Sequence, residues 1–137
     1  MSNSNSVYVF DLDDTLADTR SMRDGVAMPI DEKMRMMSAA PALPLAAFAA
    51  ALSAAGERVI ILTARTESDY TREQVARYGI VAEFLFRPDG DHRVDHKVKA
   101  DHVRDMLAHG MTIVTAWDDK VKNVEMFRSF GIEAVQV

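Results

Sequence analysis

The chain has no cysteine in its 137 residues. That excludes a disulfide framework, a thiol nucleophile and a thiolate metal site. It also lacks any apolar run near the roughly 18 residues of a membrane span, so no membrane partner is expected. Residues 1–6, Met-Ser-Asn-Ser-Asn-Ser, have neither the basic start nor the apolar core of a signal peptide. They read as a disordered N-terminus, and the expected location is cytoplasmic. Basic residues are in deficit, 16 against 21 acidic, for a net charge of −5. This argues against a general nucleic-acid coat protein but leaves room for a locally basic cleft. There is no Gly-x-x-x-x-Gly-Lys loop, hence no nucleotide-kinase signature of that kind. Neither an internal repeat nor a linker interrupts the chain, whose length and 48% hydrophobic content fit one domain over residues 7–137.

What is present is organised around Val7-Tyr8-Val9-Phe10-Asp11-Leu12-Asp13-Asp14-Thr15. Four apolar residues run straight into carboxylates. Such a run reads as a strand buried on both faces. In an open α/β sheet, ligands bind beyond the carboxyl ends of strands of this kind. Asp11 and Asp13 fall on the same side of an extended backbone. Two carboxylates this close repel unless a cation lies between them or one holds a proton.

The rest of the chain alternates. A short helix is expected over Asp31–Met37. An alanine-rich helix opens after Pro41 and Pro44 and ends at Gly56, with Leu45, Phe48, Ala49 and Leu52 as its core face. Then come a buried strand over 58–63, a helix over 68–78, a strand over 82–86 and a polar loop. A helix over 95–108 has Asp95 as its N-cap. A strand over 111–117 leads to Asp118-Asp119, a helix over 121–130 and a strand over 133–137. Strands alternating with helices predict an α/β fold, a three-layer doubly wound parallel sheet of about five strands.

Each candidate site residue has a physical reason. Asp118 and Asp119 follow a second apolar strand. Two acidic clusters at strand ends concentrate negative charge that a hard cation such as Mg²⁺ would offset. Thr63 ends the strand over 58–63, where its hydroxyl can hold a phosphate oxygen or cap the next segment. Arg65 suits a bidentate phosphate contact. Lys99 lies with Val103 and Met106 on one helical face, whereas Lys97 lies with Asp101 and Arg104 on the other. A lysine on the buried stripe needs an anionic partner. Asn123 shares a face with Met126, Phe127 and Phe130 and can point inward at the acidic loop. The four histidines, all between His92 and His109, read as solvated.

Asp11-Leu12-Asp13-Asp14-Thr15, Thr63, Lys99 and Asp118-Asp119, in that order at strand ends, resemble the four motifs of the haloacid-dehalogenase superfamily of phosphohydrolases. The likeness covers essentially the whole chain; Asp14 stands where many members have glycine. Thr63-Ala64-Arg65, Asp95-His96-Lys97-Val98-Lys99, Asp118-Asp119-Lys120 and Val124-Glu125-Met126-Phe127-Arg128 resemble more narrowly the phosphatase domains of phage polynucleotide kinase/phosphatases. The resemblance implies a Rossmann-like sheet with the nucleophile strand in the middle. It implies Asp11 as nucleophile, Asp13 as acid and base, and Thr63 and Lys99 as phosphate ligands. Mg²⁺ would be held by Asp11, the backbone carbonyl of Asp13, Asp118 and Asp119. Arg65, Asp95 and Arg20 (or Arg23) would assist substrate binding, with Asn123 orienting the acidic loop. The segments between Asp13, Thr63 and Lys99 are too short for an inserted cap. A capless site suits a polynucleotide end carrying a 3′-phosphate; the alternative is a nucleotidase acting on small nucleotides. A phospho-accepting receiver domain fits less well, because Asp13 supplies an acid that a long-lived aspartyl-phosphate lacks.

Overall fold

The computed structural model describes residues 5–23 and 28–137. Its sheet has five parallel strands: β1 (Ser6–Phe10), β2 (Arg58–Thr66), β3 (Glu83–Arg87), β4 (Thr112–Asp118) and β5 (Ala134–Gln136). Their order is β3-β2-β1-β4-β5. Among the described residues six helices connect them: α1 (Arg20–Arg23), α2 (Ile30–Ser38), α3 (Leu45–Ala54), α4 (Asp69–Arg77), α5 (Asp95–Ala108) and α6 (Val121–Ser129). The expected doubly wound sheet, with β1 in the middle, is what forms. Between β1 and β2 the described residues hold three helices and no second sheet, as expected of a capless chain.

Alternation within the central strands builds two cores. Val7 and Val9 of β1, with Ile60 and Leu62 of β2, face Val103 and Met106 of α5 and Val124 and Phe127 of α6. Phe10, Val59 and Ile61 face the other way, against Ala46 and Ala49 of α3 and Val75 of α4. Successive side chains on a strand point to opposite faces, so one apolar run supplies both cores. Each such aliphatic side chain, fully buried, contributes about 1.5–3 kcal/mol. Winding outward in both directions from β1 puts the topological switch point between β1 and β4. The crevice that forms there receives Asp11 from one strand and Asp118 from the other.

Four expectations need correction. Of the six residues expected to be disordered, 1–4 lie outside the described residues, but Ser6 is in β1. It pairs with Thr112, and the Asn5 carbonyl accepts from Thr112 N at 2.8 Å. On α3 the buried face centres on Ala46 and Ala49, while Phe48 is 45% exposed. Two alanines let the helix sit close to the sheet, and the half-exposed Phe48 ring packs against Trp117, centroids 5.5 Å apart. Val94, not Asp95, occupies the N-cap of α5, with no side-chain cap; Asp95 is the first helical residue and its carboxylate is used elsewhere. Finally, β2 runs to Thr66. Its register with β3 shifts between Leu62 and Thr66, and such shifts re-aim side chains beside active sites. Here the re-aimed stretch is Thr63-Ala64-Arg65.

Candidate active site

The loop after β1 is tightly wound. The Leu12 carbonyl accepts from the N–H groups of Thr15, Leu16 and Ala17 at 3.3, 2.9 and 3.0 Å. Asp14 makes the turn with φ of 62°, a left-handed conformation that aspartate tolerates better than most side chains. Its Oδ1 accepts from Thr19 N at 3.2 Å. This winding throws Asp11 inward and leaves Asp13 at the rim.

Asp11 is buried between two donors. Its Oδ2 accepts from Thr15 Oγ1 and its Oδ1 from Lys99 Nζ, both at 2.9 Å. Lys99, 1% exposed, also donates to Asp118 Oδ2 at 2.9 Å and lies 3.6 Å from Asp95 Oδ2. Asn123 Nδ2 donates to both Asp95 Oδ2 and Asp118 Oδ2, at 2.9 and 3.0 Å. Asp118 Oδ1 accepts from Lys120 N at 3.0 Å. The helical phase that separates Lys99 from the exposed Lys97 is therefore as expected.

Asp13 is held by a different cation. Arg65 Nε and Nη2 donate to its two oxygens at 3.1 and 2.7 Å, and Thr19 Oγ1 donates to Oδ1 at 3.0 Å. The guanidinium is itself fixed from behind, since Nη1 donates to Thr71 Oγ1 at 3.1 Å and Gln74 Oε1 at 2.8 Å. Gln74 is fully buried, and its Nε2 donates to the Met37 carbonyl and Tyr78 Oη at 3.2 and 2.8 Å. Thr63 Oγ1 accepts from Arg65 N at 3.1 Å, so this hydroxyl caps the re-aimed stretch.

Asp11, Asp118 and Asp119 each offer an oxygen within 4.8 Å of the others. Buried Asp119 Oδ1 has no hydrogen-bond partner among the described residues. Burial pushes the Asp11 carboxyl up from 3.8 to about 8; Lys99 pulls it down by more than Asp118 raises it, but not by enough to offset the burial. Burial alone would lower Lys99, but Asp11, Asp118 and Asp95 outweigh it and raise its pKa. Burial likewise works to raise Asp95, yet Lys99, Asn123 and Lys120 hold it below the usual carboxylate range. The carboxylates around Lys99 exceed what one ammonium balances. An all-oxygen set with an unpartnered, buried oxygen fits a hard divalent cation. Asp13's carboxylate is not in this trio, being committed to Arg65.

Some expected residues fall elsewhere. Arg20 is exposed on α1 and joins none of these contacts among the described residues. The four histidines form no metal-holding group among the described residues; His102, half-buried, meets the Phe86 carbonyl at 2.9 Å. Sequence reading missed Thr15, Thr19, Thr71, Gln74 and Arg87. Arg87 Nε donates to the Ala64 carbonyl at 3.0 Å, bracing the Thr63–Arg65 stretch. Thr71, Gln74, Val75 and Tyr78 keep helical spacing, and that pattern flags two polar residues on an inward face.

A central strand ending in Asp11, a re-aimed Thr-x-Arg, an inward lysine and an acidic pair at the switch point are the features of a haloacid-dehalogenase-type phosphatase domain. A family model, polynucleotide kinase PNKP phosphatase domain, matches residues 5–137. The chain belongs to this family. Among solved structures it resembles a chain of the Pnkp1/Rnl/Hen1 complex, with a TM-score of 0.81 at 22% identity over 97% of this chain and 46% of the other. A chain of the Pnkp1/Rnl/Hen1 RNA repair complex gives 0.77 at 23%, over 97% and 42%. Class C acid phosphatase from Bacillus anthracis, with tungstate bound, gives 0.65 at 18%, over 89% and 54%. The chain thus spans less than half the length of the Pnkp1-complex chains it matches. No curated protein matches the chain. Among the described residues no helix is long and apolar enough to cross a membrane.

Proposed function

We propose that this domain hydrolyses phosphomonoesters with Mg²⁺ through an aspartyl-phosphate, removing 3′-phosphates from polynucleotide ends in the cytoplasm. The observation that carries the reading is the separation of partners at the two motif carboxylates: Lys99 holds Asp11 and Arg65 holds Asp13. Asp11 thus lies buried beside the oxygens that could hold a cation, and Asp13 lies at the rim on a fixed guanidinium, which suits attack at phosphorus by the first and proton transfer at the leaving group by the second.

An Asp11 carboxylate oxygen attacks phosphorus, and the bond from phosphorus to the leaving alkoxide breaks. Asp13, at the rim where the leaving group departs, donates the proton. In the second step Asp13 takes a proton from water as that water attacks the aspartyl-phosphate, which returns Asp11 and releases inorganic phosphate. Lys99 and Thr63 bind the transferring oxygens, where negative charge changes most. Arg65 steadies Asp13 and offers its remaining donor capacity to the phosphate. Asp95 and Asn123 keep Lys99 and Asp118 in register. Asp11, Asp118 and Asp119, with the Asp13 carbonyl, would hold Mg²⁺, which supplies charge neutralisation between carboxylates and phosphate.

The absence of a second sheet between β1 and β2 among the described residues supports a large substrate. The net charge of −5 favours the second reading, a capless nucleotidase. A screen of 3′- and 5′-phosphorylated oligonucleotides, mononucleotides and an aryl phosphate, with and without Mg²⁺, separates them. Mg²⁺-dependent release of phosphate, fastest from 3′-phosphorylated oligonucleotides, is expected. Equal or better efficiency on mononucleotides, with no effect of salt, would select the nucleotidase.

A further inference from the structure

A polynucleotide substrate needs a track of positive charge, and the overall balance of the chain is negative. One surface supplies it. The first turns of α5 and α6 are joined by Asn123, whose Nδ2 reaches Asp95 at 2.9 Å. Inside that bridge are Lys99 and the carboxylates of the site. Outside it the two helices flank a groove of about 540 Å³, within the roughly 300–1,000 Å³ of pockets that hold organic ligands. Arg93, Lys97, Arg104 and Lys122 line it, against Asp101 and Glu125. Arg93 is also held by Asp91 at 2.7 Å, so the groove's unpaired positive charge rests, among the described residues, on Lys97 and Lys122, on a chain of net charge −5.

The cations are not equivalent. Asp101 is taken up by Arg93 at 2.6 Å and Arg104 at 3.0 Å. Lys97 and Lys122 are exposed and, among the described residues, have no carboxylate within ion-pair distance. Both lie in first helical turns, beside the Asp95–Asn123 bridge. Arg104 also lies over the Phe130 ring, 5.5 Å from its centroid. Together with Met126, this gives the groove a partly apolar, flat-sided wall at the end away from the site. Point charges near the catalytic end and an aromatic–guanidinium surface further along match a single strand, with its diester phosphates first and its bases stacking beyond.

We infer that the α5–α6 groove binds the phosphodiester chain next to the phosphorylated end, with Lys97 and Lys122 as its phosphate contacts. This rests on the phosphatase reading above and adds where the rest of the strand lies. Lys97 is then irrelevant to chemistry at phosphorus yet matters for substrates long enough to reach it.

The test uses the full chain and Lys97→Glu/Lys122→Glu, with 3′-phosphorylated oligonucleotides of one to eight nucleotides, an aryl phosphate, and a 3′-hydroxyl oligonucleotide for direct binding by fluorescence anisotropy. Wild type should gain about tenfold in kcat/KM with length, and two lost phosphate contacts should lower the salt slope by about 1.4. The double variant should lose that gain and bind the 3′-hydroxyl oligonucleotide about tenfold more weakly, while aryl phosphate turnover stays within about twofold. Four results would overturn the groove. They are hydrolysis without length dependence in wild type, length dependence kept by the double variant, unchanged binding, and an acidic peptide competing as well as the oligonucleotide. The first of these leaves the phosphatase standing. If no phosphomonoester is hydrolysed with Mg²⁺, the phosphatase reading fails, and the anisotropy measurement alone then decides the groove.

Discussion

The site has two buried cations, and they are built on opposite plans. Lys99 reaches in from α5 and meets only carboxylates: Asp11, Asp118 and, further off, Asp95. Arg65 comes from the end of β2 and meets one carboxylate, Asp13, with two neutral groups, Thr71 and Gln74, behind it. The Lys99 half carries more negative charge than it can balance. The Arg65 half is balanced one to one and geometrically over-determined. An electrostatic deficit prepares a place for a cation and for phosphate. A balanced fork prepares a direction, because a planar guanidinium held from behind presents Asp13 at a fixed angle. The first half should therefore be sensitive to charge and the second to shape.

Mutations can break that contrast in order of severity. Asp11→Asn keeps the shape and removes the proposed nucleophile; steady-state turnover should fall below about 1% of wild type, and survival above that level would sink the covalent route. Lys99→Ala should cost about 3 kcal/mol of transition-state stabilisation, near a hundredfold in rate, measured on the same substrate. It also leaves buried carboxylates uncompensated, so thermal melting without metal should show lower stability. Arg65→Lys keeps the charge but loses the fork. An intermediate loss of about tenfold, with a distorted pH profile from a loosened Asp13, is expected. A loss as deep as that of Lys99→Ala would mean that Arg65 acts mainly on phosphate.

Metal and pH sharpen the contrast without mutation. Asp11 at about 8 instead of 3.8 means that, between those values, the folded chain holds a proton the unfolded chain has released. Metal-free stability should then fall as pH rises through that window. A cation takes the proton's place, so the Mg²⁺-induced gain in melting temperature should be larger at pH 8.5 than at pH 6. At a hundredfold excess over Kd the gain is worth about 2.7 kcal/mol. Equal gains at both pH values would move the Asp11 titration out of the window. The smallest effect belongs to Lys97→Ala on an aryl phosphate, where turnover should stay within a few-fold, since an exposed charge is worth at most about 1 kcal/mol. The reverse order of Lys97 and Lys99 would put the phase of α5 in error.

Lys99 was legible because periodicity reports which face of a helix a residue occupies. Val103 and Met106 at four and seven residues on marked that face as buried. Asp11, Asp13 and the Asp118-Asp119 pair were legible because apolar runs ending in carboxylates mark strand ends. The same logic erred on α3, where spacing favoured Phe48 and close packing favoured the alanines.

Taken alone, the sequence determined the alternation of strands and helices, the position of each motif at a strand end, and which lysine turns inward. These are local properties, set by side-chain period and chain direction. Only the tertiary structure decided that β1 lies between β2 and β4, so that Asp11 meets Asp118. It likewise decided that a register shift after Leu62 turns Arg65 onto Asp13, 52 residues away in sequence. Gln74 was assigned by the same means, since a polar residue on a buried face has no readable purpose until its neighbours are known. Period tells a side chain which way to point; only the packed fold supplies what it points at.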